Sequence, residues 1–258
     1  MEVCCGTYSY CRGSKGNKPV NNLTPMQALE RIAASSAGFA NVYMGGGEIA
    51  DLIGAPFGSA EVDMARLADA RRRAEAMGLR IQATLVGSRV EPFAEAVAEG
   101  KRRIEQAAAL GLRIIVDFGP SGEGSEEDVL RKYVILMRQL APHAESFGVG
   151  ISMKPHGTLL TNKSLIEIHK AVGHPAFGIC MDPGNILYYT KGKSLPTDGL
   201  EELAPCVSCV VMKDCVLNPD SPQEEECERR ILASARDSTQ CCCVYNTGCY
   251  IVLTERMC

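Results

Sequence analysis

Lys154 and His156 stand two residues apart, on either side of Pro155, in the stretch Ser152-Met153-Lys154-Pro155-His156-Gly157. The apolar run Val149-Gly150-Ile151 ahead of them reads as a buried strand, so a cation and a titratable ring arrive together at a strand end. A fixed ammonium in such a place can stabilise the enediolate oxygen that forms when a proton leaves carbon beside a carbonyl. An imidazole, titrating near neutral pH, suits the acid or base of the same step. Further along, Asp182-Pro183-Gly184-Asn185 supplies a carboxylate to keep the lysine charged or orient a substrate, and an amide to hydrogen-bond a hydroxyl. A Schiff-base role for Lys154 would need a depressed pKa, from burial or from a neighbouring cation such as Lys213, and Asp182 works against it. The plain structural competitor is a Lys154–Asp182 ion pair that ties two strands together without catalysis.

Elements that would position these groups recur along the chain. Apolar β-like runs fall at 3–8, 39–44, 80–86, 113–118, 148–154, 177–181 and 206–212. Helical patterns lie between them at 25–35, 62–77, 91–110, 126–147, 163–172 and, shorter, 197–203. Several helices end on glycine just before a strand, as in "EAMGLRI", "AALGLRI" and "AESFGVGI", where a left-handed C-cap can turn the chain. The strand runs are apolar without clean alternation, as expected for parallel strands covered on both faces. Seven βα units point to an α/β fold, a (β/α)8 TIM barrel of units 1–7 over residues 1–217. No GxGxxG follows the first strand, so a dinucleotide fold is not indicated. Gly45-Gly46-Gly47 reads as a flexible loop, or as a close approach of backbone to a ligand.

The eighth unit is irregular. Residues 218–258 form a cysteine-rich tail in which 223–235 can make a helix and 250–255 a strand, and closure of the barrel is left open. In a parallel barrel the chemistry gathers at the carboxyl ends of the strands. Those ends carry Tyr8, Met44, Val86, Asp117, Lys154 with His156, Asp182 with Asn185, and Lys213-Asp214, with Glu255 joining them if the tail supplies the last strand. Tyr8, Asp117, Asn185 and Lys213 are the candidate substrate contacts, and Lys154, His156, Asp182 and Glu255 the candidate catalytic groups. His143, His169 and His174 read as structural. Tyr188 and Tyr189 can flank a sugar ring or pack under the loop.

A formal charge of −4 with dispersed basic residues argues against a nucleic-acid backbone binder. No basic and apolar leader opens the sequence, and no apolar run spans a bilayer, so the expectation is a cytoplasmic protein without a membrane partner. Barrels of this kind often pair through their helices, so a homo-oligomer is a reasonable expectation. The 13 cysteines are odd in number and absent between residues 12 and 179, which does not read as a secreted disulfide framework. Cys206-Val-Ser-Cys209 has CxxC spacing but lies in an apolar run, and reads as buried small hydrophobes.

The segments "GVGISMKPHG", "HPAFGICMDPGNILYY" and "CVSCVVMKDC" resemble the xylose isomerase-like barrel family of sugar phosphate isomerases and epimerases. The resemblance spans about 1–217 and is most specific over 148–214. It implies a divalent metal, Mg²⁺ or Mn²⁺, held by two glutamates, an aspartate and a histidine, with the glutamates moving protons. Here Lys154 stands at the first glutamate, Asp182 matches the aspartate, Val211 replaces the histidine, and Glu255 matches the last glutamate if the tail aligns. Asn185 stands where many members have a substrate-binding histidine. At most Asp182 and Glu255 remain of the four implied metal ligands, and an ammonium in the shell supplies no lone pair and repels a cation, which leaves weak binding through Asp182, His156 and Glu255 as the alternative. Three functions follow as expectations. They are an isomerase or epimerase of a small sugar or sugar-derived keto compound, a non-catalytic carbohydrate-binding barrel, and a metal-dependent abasic-site nuclease, which the few histidines disfavour.

Overall fold

A computed structural model describes residues 2–7, 10–11, 23–157, 159–212 and the backbone of 249–252. Its elements run β1 (Glu2–Gly6), α1 (Pro25–Ala33), β2 (Asn41–Gly45), α2 (Gly46–Ile53), α3 (Met64–Ala76), β3 (Arg80–Arg89), α4 (Phe93–Leu110) and β4 (Ile114–Ser121). The second half runs α5 (Glu126–Ser146), β5 (Gly150–Met153), α6 (Asn162–Val172), β6 (Phe177–Met181), α7 (Pro183–Thr190), α8 (Leu200–Leu203), β7 (Val207–Val211) and β8 (Cys249–Val252). Strands β1 to β7 pair in parallel and in chain order, as an α/β TIM barrel requires.

The irregular eighth unit takes a particular form. β8 closes the barrel between β1 and β7 but runs antiparallel to both. Val252 therefore pairs with Glu2, at the amino end of β1, and Cys249 with Cys5 near its carboxyl end. A parallel last strand was the premise for an acid at the mouth, and β8 does not run that way. Glu255 itself, like Tyr8, Lys213 and Asp214, lies outside the described residues.

Local signals explain the helix ends. Thr24 and Gln27 form a capping box at α1, Ser125 caps α5 and is followed by Glu126, Glu127 and Asp128, which suit the positive end of the helix. Gly78, Gly111 and Gly148 all take positive φ, 76°, 87° and 67°, where the three helix-to-strand turns were expected. Gly45-Gly46-Gly47 is not a flexible loop: Gly45 ends β2 and caps α2, which Gly46 and Gly47 open.

Two apolar clusters divide the interior. One joins strands to helices, with Val42, Ile115, Ile151, Met153, Phe177 and Ile179 packing against residues such as Leu29, Tyr133 and Leu165. The other contains strand residues alone, Cys4, Tyr43, Ala83, Ile114, Val116, Cys180, Cys209 and Val211, and so fills the barrel. Because side chains alternate along a strand, this division tells which way each strand-end residue faces.

Candidate active site

Lys154 and Asp182 each follow the last residue of a strand, β5 and β6. Met153 and Ile179 belong to the outer cluster and Cys180 to the inner one, so alternation turns both Lys154 and Asp182 into the bowl. The Lys154 backbone N–H donates to the Asp117 carbonyl at 2.8 Å, which extends the β4–β5 ladder by one residue and fixes the lysine's direction. Lys154 Nζ lies 2.9 Å from Asp182 Oδ2, with the two side chains 5% and 0% exposed. A pair this dry has its desolvation offset only by close geometry and further hydrogen bonds.

One such bond is clear. Asp182 is the N-cap of α7, where its Oδ1 accepts from the Asn185 backbone N–H at 3.0 Å, and Pro183 occupies the first turn. The Asn185 side chain is buried and donates through Nδ2 to the Pro155 carbonyl at 2.8 Å. Thus Asn185, expected to hold a substrate hydroxyl, locks the strand-five loop to α7 with its amide N–H.

His156 sits where the chain reverses, exchanging backbone hydrogen bonds with Leu159 at 3.0 Å each way. Its half-buried ring lies between Phe118, with centroids 5.2 Å apart, and Tyr189, edge-on at 4.9 Å. Tyr188 meets Tyr189 at 5.0 Å. These rings form one aromatic cluster where the chain leaves β5, two residues beyond Lys154. Phe118 was not a candidate in the sequence, although as the neighbour of Asp117 it had to face the other way. It remains partly exposed, and its ring lies over Gly87, where an added Cβ would come within 2.6 Å of it.

Asp117 is not in the bowl. Alternation from Val116 turns it toward the helices, where it accepts from the Ser88 hydroxyl and, at 2.8 Å, from the Gly119 N–H. The buried Tyr133 hydroxyl of α5 is within electrostatic reach, without a hydrogen bond of regular geometry. Burial raises the Asp117 carboxyl to about 6, against the pull of its hydrogen bonds. The expected substrate contact is a buried structural acid.

The other histidines have structural partners. His143 Nε2 is 3.0 Å from Glu105, His174 Nδ1 accepts from the Ala176 N–H at 3.2 Å, and His169 stacks on Phe177. Cys209 lies in the inner cluster and Cys206 in the turn before β7, so the CxxC cysteines do not share a face. Sequence reasoning also passed over Glu48, a buried acid in the first turn of α2 that accepts from the Thr7 hydroxyl and the Gly45 N–H. Burial raises its pKa. Its place after a triple glycine, which ordinarily marks a turn, hid it, although Ile49, Leu52 and Ile53 at helical spacing were a signal that a helix follows.

A divalent ion wants several oxygen ligands in one shell. Among the described residues no three His, Cys, Asp or Glu side chains converge, Asp182 already holds an ammonium, and Val211 lies in the apolar interior. This donor set does not fit such an ion. A cleft of about 790 Å³ opens elsewhere, lined by Arg89, Pro92, Phe93, Lys132 and Ile135 among others. Its lysine is paired with Glu91 and Asp128, and none of the candidate catalytic or substrate-contact residues lines it.

The model of the xylose isomerase-like TIM barrel matches residues 32–207, and the chain belongs to that family. No curated protein matches it. Among solved structures, a xylose isomerase-like TIM barrel/4-hydroxyphenylpyruvate dioxygenase fusion protein superposes with a TM-score of 0.63 at 17% identity, over 86% of this chain and 33% of that one. The chain thus spans about a third of that protein's length. A probable 3-DHS dehydratase involved in petrobactin synthesis, from Bacillus anthracis, gives 0.64 at 14% identity, over 95% and 83% of the two chains. A D-psicose 3-epimerase solved in the presence of D-fructose gives 0.59 at 15% identity, over 84% and 76%. At these identities the likeness is one of fold. Among the described residues no helix is long and apolar enough to cross a membrane.

Proposed function

We propose that the chain is an isomerase or epimerase of a small sugar or sugar-derived keto compound, working by proton transfer beside a carbonyl. The observation that carries this reading is the buried Lys154–Asp182 pair at the carboxyl ends of β5 and β6. An ammonium there offers a preorganised positive charge to an enediolate oxygen, in surroundings where such a charge acts more strongly than in water. His156, at the rim, is the group to take or return the proton. Asp182 keeps the lysine oriented, and Tyr189 and Phe118 give the apolar face of a sugar carbon skeleton a surface to lie on. The fold is one that an epimerase and a dehydratase also use, which is consistent with the reading.

One observation favours a second reading, a carbohydrate-binding barrel without catalysis. Asp182 spends one oxygen on capping α7 and the other on Lys154, so the pair already has a structural task. Exchange of a substrate α-proton with solvent deuterium, followed by NMR over a panel of aldoses and ketoses, separates the two. The catalytic reading expects exchange with the native chain and none with the double variant Lys154→Met/Asp182→Asn, in which no buried charge is stranded. Binding of a sugar without exchange by the native chain would establish the second reading instead.

A further inference from the structure

Strands β3 and β4 run on together past their neighbours. β2 last pairs with β3 at Leu85, and β5 last pairs with β4 at Asp117. Yet β3 and β4 still pair at Ser88–Pro120 and Arg89–Ser121. Residues 86–89 and 118–121 therefore form a two-stranded ribbon at the carboxyl end of the barrel, on the side where β5 delivers Lys154 and His156.

The ribbon begins with a bulge. Val86 lies opposite Asp117 and Ser88 opposite Pro120, so Gly87 alone faces two residues, Phe118 and Gly119. A bulge of this kind re-aims a side chain, and bulges are over-represented beside active sites. Local chemistry holds this one. Gly119 takes a φ of 101°, which suits glycine, and its N–H donates to Asp117 Oδ1 at 2.8 Å.

Two contacts then settle the Phe118 ring. A Cβ at Gly87 would stand 2.6 Å from its Cε2 and 2.7 Å from its Cζ, so glycine leaves the ring its place. The ring also meets the His156 imidazole, with centroids 5.2 Å apart and planes tilted by 53°. Phe118 stays 36% exposed, so packing into the core is not what places it. His156 needs such a neighbour. Its backbone is fixed by the exchange with Leu159, but the last torsion of a histidine is broad, and the ring's direction is set by what it touches.

We propose that Phe118 is a positioning residue: carried by the β4 bulge and backed by Gly87, its ring holds the His156 imidazole in the direction from which it moves the substrate proton. This rests on the proton-transfer role given to His156. An acid or base must lie within hydrogen-bond reach of the proton it moves, and a displacement of about 1 Å can cost about a hundredfold in rate.

Two variants disturb the ring by different routes. Phe118→Leu removes it, and Gly87→Ala puts a Cβ where it lies; Gly87 is not among the glycines with positive φ, so alanine strains no backbone there. The readout is the nuclear Overhauser contact between the ring protons of His156 and Tyr189, a pair 4.9 Å apart that does not include Phe118. The chain has four histidines, and the signals lost in His156→Asn identify the ring. The contact is expected in the native chain and in Phe118→Tyr, and lost in Phe118→Leu and Gly87→Ala. Exchange of a sugar α-proton with solvent deuterium should fall by about tenfold to a hundredfold in the last two. A His156–Tyr189 contact of native strength in both variants would overturn the proposal, and so would its loss with exchange at the native rate. A native chain that exchanges no proton from any sugar of the panel would end the proton-transfer reading, and the NMR contact alone would then decide whether Phe118 directs the imidazole.

Discussion

Asp117 shows how one residue's direction decides its role. It ends an apolar run, as a catalytic acid of a barrel would, yet its side chain faces the helices. The sequence offers no local mark of this, because the residue that ends an apolar run can fall on either face, and β4 itself continues past it to Ser121. Lys154 and Asp182 were legible as partners, since each follows a short, unbroken strand whose apolar pattern sets the phase. With its carboxyl raised by burial to about 6, Asp117 holds its proton more tightly in the folded chain than in the unfolded one. The folded state therefore gains stability as pH falls from about 6 toward 4, and carries the full cost of the buried charge above about 6. Asp117→Asn should remove that dependence while keeping the acceptor for Gly119, so the native chain loses up to about 3 kcal/mol relative to the variant between pH 4 and pH 7.5. Urea denaturation of both proteins at the two pH values checks it, and parallel pH profiles would show that Asp117 titrates normally.

Among the elements, the long helices and the strands were readable because several turns of amphipathic pattern leave little ambiguity. The 62–77 pattern became Met64–Ala76, and the 126–147 pattern Glu126–Ser146. Helices α2 and α7 were missed. Each has eight residues, and they open on glycines or on Pro-Gly, which ordinarily mark turns. What holds α7 is the Asp182 cap and the Asn185 tie to Pro155, which only the assembled barrel brings together. The α4–α5 contact yields a test at this scale. An added Cβ at Gly100 would lie 2.5 Å from Cδ1 of the buried Leu140. Alanine is the better helix former by about 1 kcal/mol, but overpacking a filled contact costs about 1–3 kcal/mol. Packing should win, so Gly100→Ala is expected to lower the urea midpoint. A raised midpoint would mean that Leu140 swings aside freely.

For the molecule as a whole, the barrel was legible from seven repeating units, and its closure was not. The direction of a strand is set by its ladder partners and not by its own residues, so nothing in 249–252 announced an antiparallel seam. β8 gives β1 and β7 the partners they would otherwise lack. Deleting residues 249–258 should leave two open sheet edges, which invite pairing between molecules. Hydrogen exchange is expected to quicken in β1 and β7 while β3, β4 and β5 keep their protection, and size-exclusion chromatography should show association. Unchanged exchange in β1 would mean that the seam adds little to the closed structure.

The buried ammonium and carboxylate also bear on how this chain can diverge. Neither position can drift alone, since losing one partner strands the other's charge in a dry interior, at a cost of about 3–5 kcal/mol against a margin of only about 5–15. Inherited change at 154 and 182 should therefore arrive as a matched exchange, and a descendant that acquired a glutamate at 154 would have to find a new counter-charge for two neighbouring acids in the same step.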